Sequence, residues 1–152
     1  MGFSDVRGSR GARQPSGPVL RLVNRMSVGR LRRRRDGRMM GMDALVLTTV
    51  GRTSGEPRST PVAWFADGDA WVVVASAAGA PANPAWYRKL AAHPDRVTIE
   101  VGGETIPVTA QELHGAERDA TWQRVVATAP RFAGYETKTD RVLPVVRLTR
   151  RG

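Results

Sequence analysis

The chain has 152 residues and no cysteine, which suits one domain with a real core and excludes a disulfide framework, a thiol nucleophile and a thiolate metal site. Its net charge of +10 is uneven: residues 1–40 carry eleven arginines against Asp5 and Asp36, while the remainder carries thirteen Lys/Arg against twelve Asp/Glu. No apolar run is long enough to span a bilayer and the start lacks the apolar stretch of a secretory signal, so a cytoplasmic protein is expected.

Residues 1–17 are Gly, Ser and Arg with little to bury, and are predicted to be a disordered basic tail. Residues 18–36 form a predicted amphipathic basic helix. Val19, Leu22, Val23 and Met26 recur at helical spacing, with Leu31 continuing the face and Arg21 and Arg25 pointing elsewhere. Arg32 to Arg35 suit its C-terminal dipole, and Asp36-Gly37 ends it. Such a stripe has two readings. It lies on an anionic membrane surface, peripheral to the inner face of the cell membrane, or it covers one end of its own domain.

Residues 37–152 read as short antiparallel strands with one crossing helix, an α+β, mainly β, small barrel. Strands are predicted over 44–50 and 59–66, joined by a turn at 53–57. Asp67-Gly68-Asp69 makes a hairpin into 70–76. Asn83 caps a helix with Pro84 at its first position, and that helix runs to Ala92 and stops at His93-Pro94. A hairpin follows over 96–101 and 104–112, turning at Gly102-Gly103. The helix over 116–129 buries Trp122, Val125 and Val126. The stretch with Pro130, Phe132, Gly134 and Tyr135 reads as a loop, and 142–149 is the last strand.

Three segments carry candidate chemistry. Arg52, Thr53, Ser54 and Gly55 with Arg58 offer the hydroxyls, backbone N–H groups and guanidiniums that an oxyanion needs, or else form a hairpin with solvated arginines. Ser76, Ala77, Ala78 and Gly79 follow an apolar strand, and small side chains there let backbone lie against a flat ring. They equally suit an ordinary strand exit, and they are not a dinucleotide fingerprint. Trp86 and Tyr87 close over a ring or pack the core. Together these suggest a large, flat, anionic cofactor. His93 and His114 lack a second ligand at metal spacing, so no metal is expected. Ser76, Thr48 and Thr49 lack triad partners. The arm has no interleaved aromatics, which argues against nucleic acid.

In order and spacing, LTTVGRTSGEPRSTP, ASAAGAPANP, AWYRKLAAHP and YETKTDRVLPVV resemble the deazaflavin-dependent nitroreductases, which use coenzyme F420 on a split β-barrel like that of flavin mononucleotide (FMN) proteins. The resemblance covers about residues 18–149. It implies that reduced F420 passes a hydride to a small hydrophobic acceptor, a quinone, an activated enone or a nitro compound. It implies cofactor contacts at Arg52, Thr53, Ser54, Arg58, Thr60, Pro61, Ser76, Ala77, Ala78, Gly79, Asn83, Trp86 and Lys89. Phe132, Tyr135 and Thr139 would line the acceptor site, and Tyr135, Tyr87 or water would supply the proton. Thr53, Ala77, Ala78 and Lys89 depart from the residues usual in relatives. An FMN enzyme and a non-enzymatic F420 carrier are the alternatives. The oligomeric state stays open.

Overall fold

Strands that are apolar at successive positions need cover on both faces, because their side chains alternate between them. The computed structural model, which describes residues 2–3, 5–12, 17–33, 37–39 and 41–151, provides that cover. Its strands are β1 (Arg38–Met39), β2 (Met42–Val50), β3 (Pro57–Ala63), β4 (Phe65–Asp67), β5 (Ala70–Val74), β6 (Val97–Val101), β7 (Glu104–Glu112) and β8 (Val145–Arg150). All pair antiparallel in the order β1-β2-β6-β7-β8-β5-β4, with β3 on β2. The sheet curls into the expected split half-barrel.

Alternation sorts the apolar residues. Leu45 and Leu47 of β2, Val73 of β5 and Val146 and Leu148 of β8 point inward, where helix α2 (Ala85–Ala92) adds Trp86, Tyr87 and Leu90. Val72, Val74 and Val145 point outward, under Trp122 and Val125 of α3 (Gly115–Thr128) and Phe132 of α4 (Arg131–Lys138). Ala44 and Val46 meet Val28 and Leu31 of α1 (Gly17–Arg33). Each such side chain contributes about 1.5–3 kcal/mol when fully buried.

The structure departs from the sequence expectations in six places. The single strand expected over 59–66 is two, broken at Trp64, where the chain leaves β2 and turns to β5. The last strand starts at Val145 rather than 142, and β5 stops at Val74. The 130–135 loop is helix α4, because Phe132 and Tyr135, three residues apart, pack together and onto the outer core. Asn83 does not cap α2; Pro84 holds the cap position with no side-chain bond, and the Asn83 amide is used elsewhere. Finally, the tail expected to be disordered is held at residues 5–12. Gly8 N–H donates to Pro81 O at 2.7 Å and Ala12 N–H to Gly79 O at 3.0 Å. The Ser9 and Arg10 N–H groups donate to the Asp140 carboxylate. Residues 13–16 and the predicted helix end at Arg34, Arg35 and Asp36 lie outside the described residues.

Candidate cofactor site

The site is built at the two ends of α2. At its C-terminal end stand cations. β2 pairs Leu47 with Thr60 and Thr49 with Arg58, so Arg58 and Thr60 share the barrel-facing side with Leu47. Val46 pairs with Pro61 and faces α1, which puts Pro61 on the opposite side from Thr60. The side chains of these two expected cofactor contacts therefore stand on opposite faces of β3. Lys89, in the last turn of α2, is partly buried. Burial pushes its pKa below the ordinary lysine value, and the nearby positive charges of Arg58 and Arg21 push it further. Among the described residues no carboxylate bonds Lys89, and Arg58 has only exposed Glu56 at 3.4 Å. That donor set fits an anion.

The turn before β3 is organised by its own polar groups. Gly51 N–H donates to Glu56 O at 2.9 Å, Gly55 N–H to Gly51 O at 3.1 Å, and Glu56 N–H to Ser54 Oγ at 3.2 Å. Gly55 takes φ +69°, which glycine adopts at little cost. Ser54 thus shapes the turn, and the Arg52 and Thr53 side chains stand exposed beside it.

At the N-terminal end of α2 lies the small-residue loop. Ala77, Ala78 and Gly79 have φ of 45°, 53° and 83°, a tight 3-10 turn closed by Gly79 N–H to Ser76 O and Ala80 N–H to Ala77 O. A Cβ on Gly79 would lie 2.9 Å from both Lys138 Cβ and Tyr135 O, so only glycine lets α4 approach this closely. The Tyr135 main chain therefore stands next to the loop, while its partly buried ring lies edge-on to Phe132 at 5.3 Å with Lys138 Nζ 5.7 Å from its centroid. About 6 Å of helix rise separates Ala85 from Lys89, so α2 links a loop of small residues to a group of cations. An elongated molecule with a flat head and an anionic tail fits those two ends.

Other expected site residues sit deeper. Trp86 and Tyr87 are core residues, 8% and 0% exposed. The Tyr87 hydroxyl donates to buried Glu112, and its ring packs edge-on against Phe3. Phe132 is 5% exposed and meets Phe65, so it supports the wall behind Tyr135 rather than forming an open surface. Thr139 is buried; its hydroxyl donates to Arg10 O at 2.7 Å and accepts from Arg141 N–H at 3.1 Å.

Sequence reading missed Arg141, Asp5 and Arg21. Arg141 is 4% exposed. It donates to Ala75 O and Ala80 O at 3.0 Å, to Ser76 O at 2.8 Å and to Asn83 Oδ1. Burial lowers its pKa from the ordinary arginine value, partly opposed by Asp5. Asp5 accepts from Asn83 Nδ2 at 2.8 Å and lies 3.4 Å from Arg88. Arg141 lies within the YETKTDRVLPVV run, but nothing in its spacing marks one arginine among 24 basic residues as buried.

Two surface hollows of about 630 and 560 Å³ lie elsewhere. The larger, beside Asp67 and Arg147, is lined by charges that already pair with each other. The smaller runs between residues 6–9 and 140–144. Neither borders Arg58, Lys89 or Gly79. The donor set, rather than the size of a hollow, marks the site.

The chain is similar to known proteins along most of its length. The sequence model of the F420H(2)-dependent quinone reductase family matches residues 22–150. An F420H(2)-dependent quinone reductase of Mycobacterium tuberculosis is 41% identical over 111 residues, 71% of this chain and 74% of the relative. The solved structure of an F420H2-dependent reductase, FDR-A, aligns at TM-score 0.63 and 37% identity, covering 69% of this chain and 92% of that one. A second solved chain, described as a domain-swapped dimer, aligns at TM-score 0.65 and 31% identity, covering 87% and 99%.

Proposed function

The chain belongs to the F420H(2)-dependent quinone reductase family and its cofactor is coenzyme F420; from that premise we propose that it reduces a small hydrophobic quinone, with enones and nitro compounds as further acceptors. Bound reduced F420 supplies the hydride. The protein's own residues bind, orient and exclude water. Lys89, Arg58 and Arg21 attract the anionic tail, with Arg52 and Thr53 at the turn beside them. The loop from Ser76 to Gly79 lies against the ring because its side chains are too small to hold the ring away. Tyr135 is the proton donor we favour over Tyr87, since Tyr87 is fully buried with its hydroxyl turned to Glu112, while Tyr135 is only partly buried on the helix whose main chain meets Gly79.

The observation that carries this reading is that Lys89 is partly buried and close enough to Arg58 and Arg21 to feel both charges, with no bonded carboxylate among the described residues. The test is a spectroscopic titration with F420 and with FMN. F420 should bind more tightly, and replacing Arg58 and Lys89 with alanine should weaken it by about 1–3 kcal/mol per lost charge-assisted contact. Equal or tighter FMN binding would overturn the assignment of this site. Turnover of a water-soluble quinone with reduced F420 separates catalysis from carriage.

A second reading concerns α1. Val19, Leu22, Val23 and Met26 are 47–57% exposed, whereas Val28 and Leu31 hold the helix to β2. An apolar stripe facing outward beside Arg21, Arg25 and Arg30 supports attraction to an anionic membrane surface, where a lipid-soluble quinone would be found. Among the described residues no helix is long and apolar enough to cross a membrane.

A further inference from the structure

Taking a guanidinium out of water is costly unless each N–H finds an acceptor. Arg141 is buried and none of its four acceptors is a carboxylate. Three are main-chain carbonyls of one loop, and the fourth is the Asn83 side chain where that loop meets α2. The bonded carbonyls bracket the three left-handed residues: Ala75 and Ser76 before them and Ala80 after. Left-handed alanines do not hold their conformation unaided. Arg141 supplies the restraint from within the fold.

The orientation of those carbonyls has a second effect. The described peptides are trans, and a planar trans peptide points its C=O and the following N–H in opposite directions. With Ala75 O turned onto Arg141, the Ser76 N–H is turned to the other side of the loop. We propose that Arg141 is the positioning residue of the cofactor site: by gripping the carbonyls of Ala75, Ser76 and Ala80 and the Asn83 amide, it fixes the left-handed turn and presents the opposite side of the loop to the deazaflavin ring. This rests on the F420 reading above. Arg141 touches neither ring nor acceptor in this scheme; it acts through the loop.

The N-terminal segment meets the same loop from outside. Gly11 approaches so closely that a Cβ there would lie 2.5 Å from Gly79 O and 2.6 Å from Pro81 N. Asp5 holds the other side of the Asn83 amide. Residues 8–12 thus add a second hold on the loop at Gly79 and Pro81, beside the grip of Arg141 on Ala75, Ser76 and Ala80.

The test uses the full chain with Arg141→Lys and, because that variant risks misfolding, Asn83→Ala as a milder loss of one acceptor. Amide hydrogen exchange without cofactor reads the loop directly. We expect exchange at Ala77, Gly79 and Ala80 to quicken at least tenfold in Arg141→Lys, and less in Asn83→Ala, with strand amides of β2 and β7 unchanged. The dissociation constant and KM for F420 should rise about tenfold while KM for a water-soluble quinone stays the same. Added guanidinium ion should partly restore F420 binding to Arg141→Ala. Unchanged loop exchange, or faster loop exchange with unaltered F420 affinity, overturns the proposal. Wild-type protein that binds no F420 overturns the cofactor reading and this one with it, and is told apart because the exchange pattern needs no cofactor.

Discussion

Ala77 and Ala78 take left-handed backbone at φ 45° and 53°, and Ala78 is exposed. That conformation costs an L-residue roughly 1–2 kcal/mol, most of which glycine avoids. Glycine loses about 0.5–1 kcal/mol through its freer unfolded chain. Ala78→Gly should therefore stabilise by about 0.5–1 kcal/mol, seen as a higher Tm. A lower Tm would mean the backbone is relaxed there. Gly79→Ala should do the reverse. Its new methyl would meet Lys138 Cβ and Tyr135 O at 2.9 Å in an unfavourable φ. A loss of about 2–4 kcal/mol is expected from overpacking and strain together, and a neutral melt would show that α4 yields easily. The motif made the loop visible in the sequence. Its left-handed geometry and its guanidinium clamp were not visible, because both depend on partners some 60 residues away.

Helix α1 shows how an element is legible while its orientation is not. Periodicity located it within one residue at its start, Gly17 against an expected 18. The same pattern was compatible with either face being buried, and the structure buries Val28 and Leu31 while exposing the earlier stripe. Replacing Leu22 and Met26 with serine should change stability by no more than about 0.5 kcal/mol each, as for other exposed positions. Leu31→Ala should cost about 2–4 kcal/mol. Chemical denaturation of both variants checks this, and equal losses would mean that the outer stripe is buried in solution. Co-sedimentation of the serine variant with anionic liposomes then tests the membrane reading. Binding equal to the wild type would remove the stripe from it. α4 failed as a sequence reading for the opposite reason. Pro130 and Gly134 are loop signals, and burial of Phe132 against Phe65 overrode them.

Across the whole molecule, carboxylates tie distant segments together, and acid should release them in order. The Arg147 hydrogen bond, helped by Arg124, holds Asp67 below the usual carboxylate range and joins β4 to β8 and α3. The Ser9 hydroxyl and the Arg10 and Ser9 backbone bring Asp140 down to about 2. A carboxylate whose folded value is depressed contributes stability above its unfolded value, near 3.9, and loses it as pH falls through the folded value. The Asp140 contribution is thus complete above about pH 4 and fades towards pH 2, and that of Asp67 fades as acid reaches its own lowered value. The N-terminal segment, held at Asp140 by exposed contacts, should become protease-sensitive in this window before the barrel unfolds. Asp140→Asn should show that sensitivity already at pH 7. Asp67→Asn should cost on the order of 1 kcal/mol at pH 7, since its ion pairs are partly exposed, and progressively less as acid protonates the wild-type carboxylate. An Asp67→Asn loss that does not shrink with falling pH would show that the carboxylate's charge is not its source.

Local pattern by itself determined the strands, the hairpins at Asp67-Gly68-Asp69 and Gly102-Gly103, the α2 helix and the loops that carry the small residues and arginines. Each of these depends on neighbours in sequence: periodicity, turn chemistry and a motif order. Tertiary structure decided which side of each strand faces the barrel interior, separating Thr60 from Pro61, and which way α1 lies. It also decided that Asn83, Thr139 and Arg141 serve the loop rather than the solvent. These outcomes arise from contacts between residues far apart in the chain, where burying one guanidinium required four acceptors supplied by a segment more than fifty residues away.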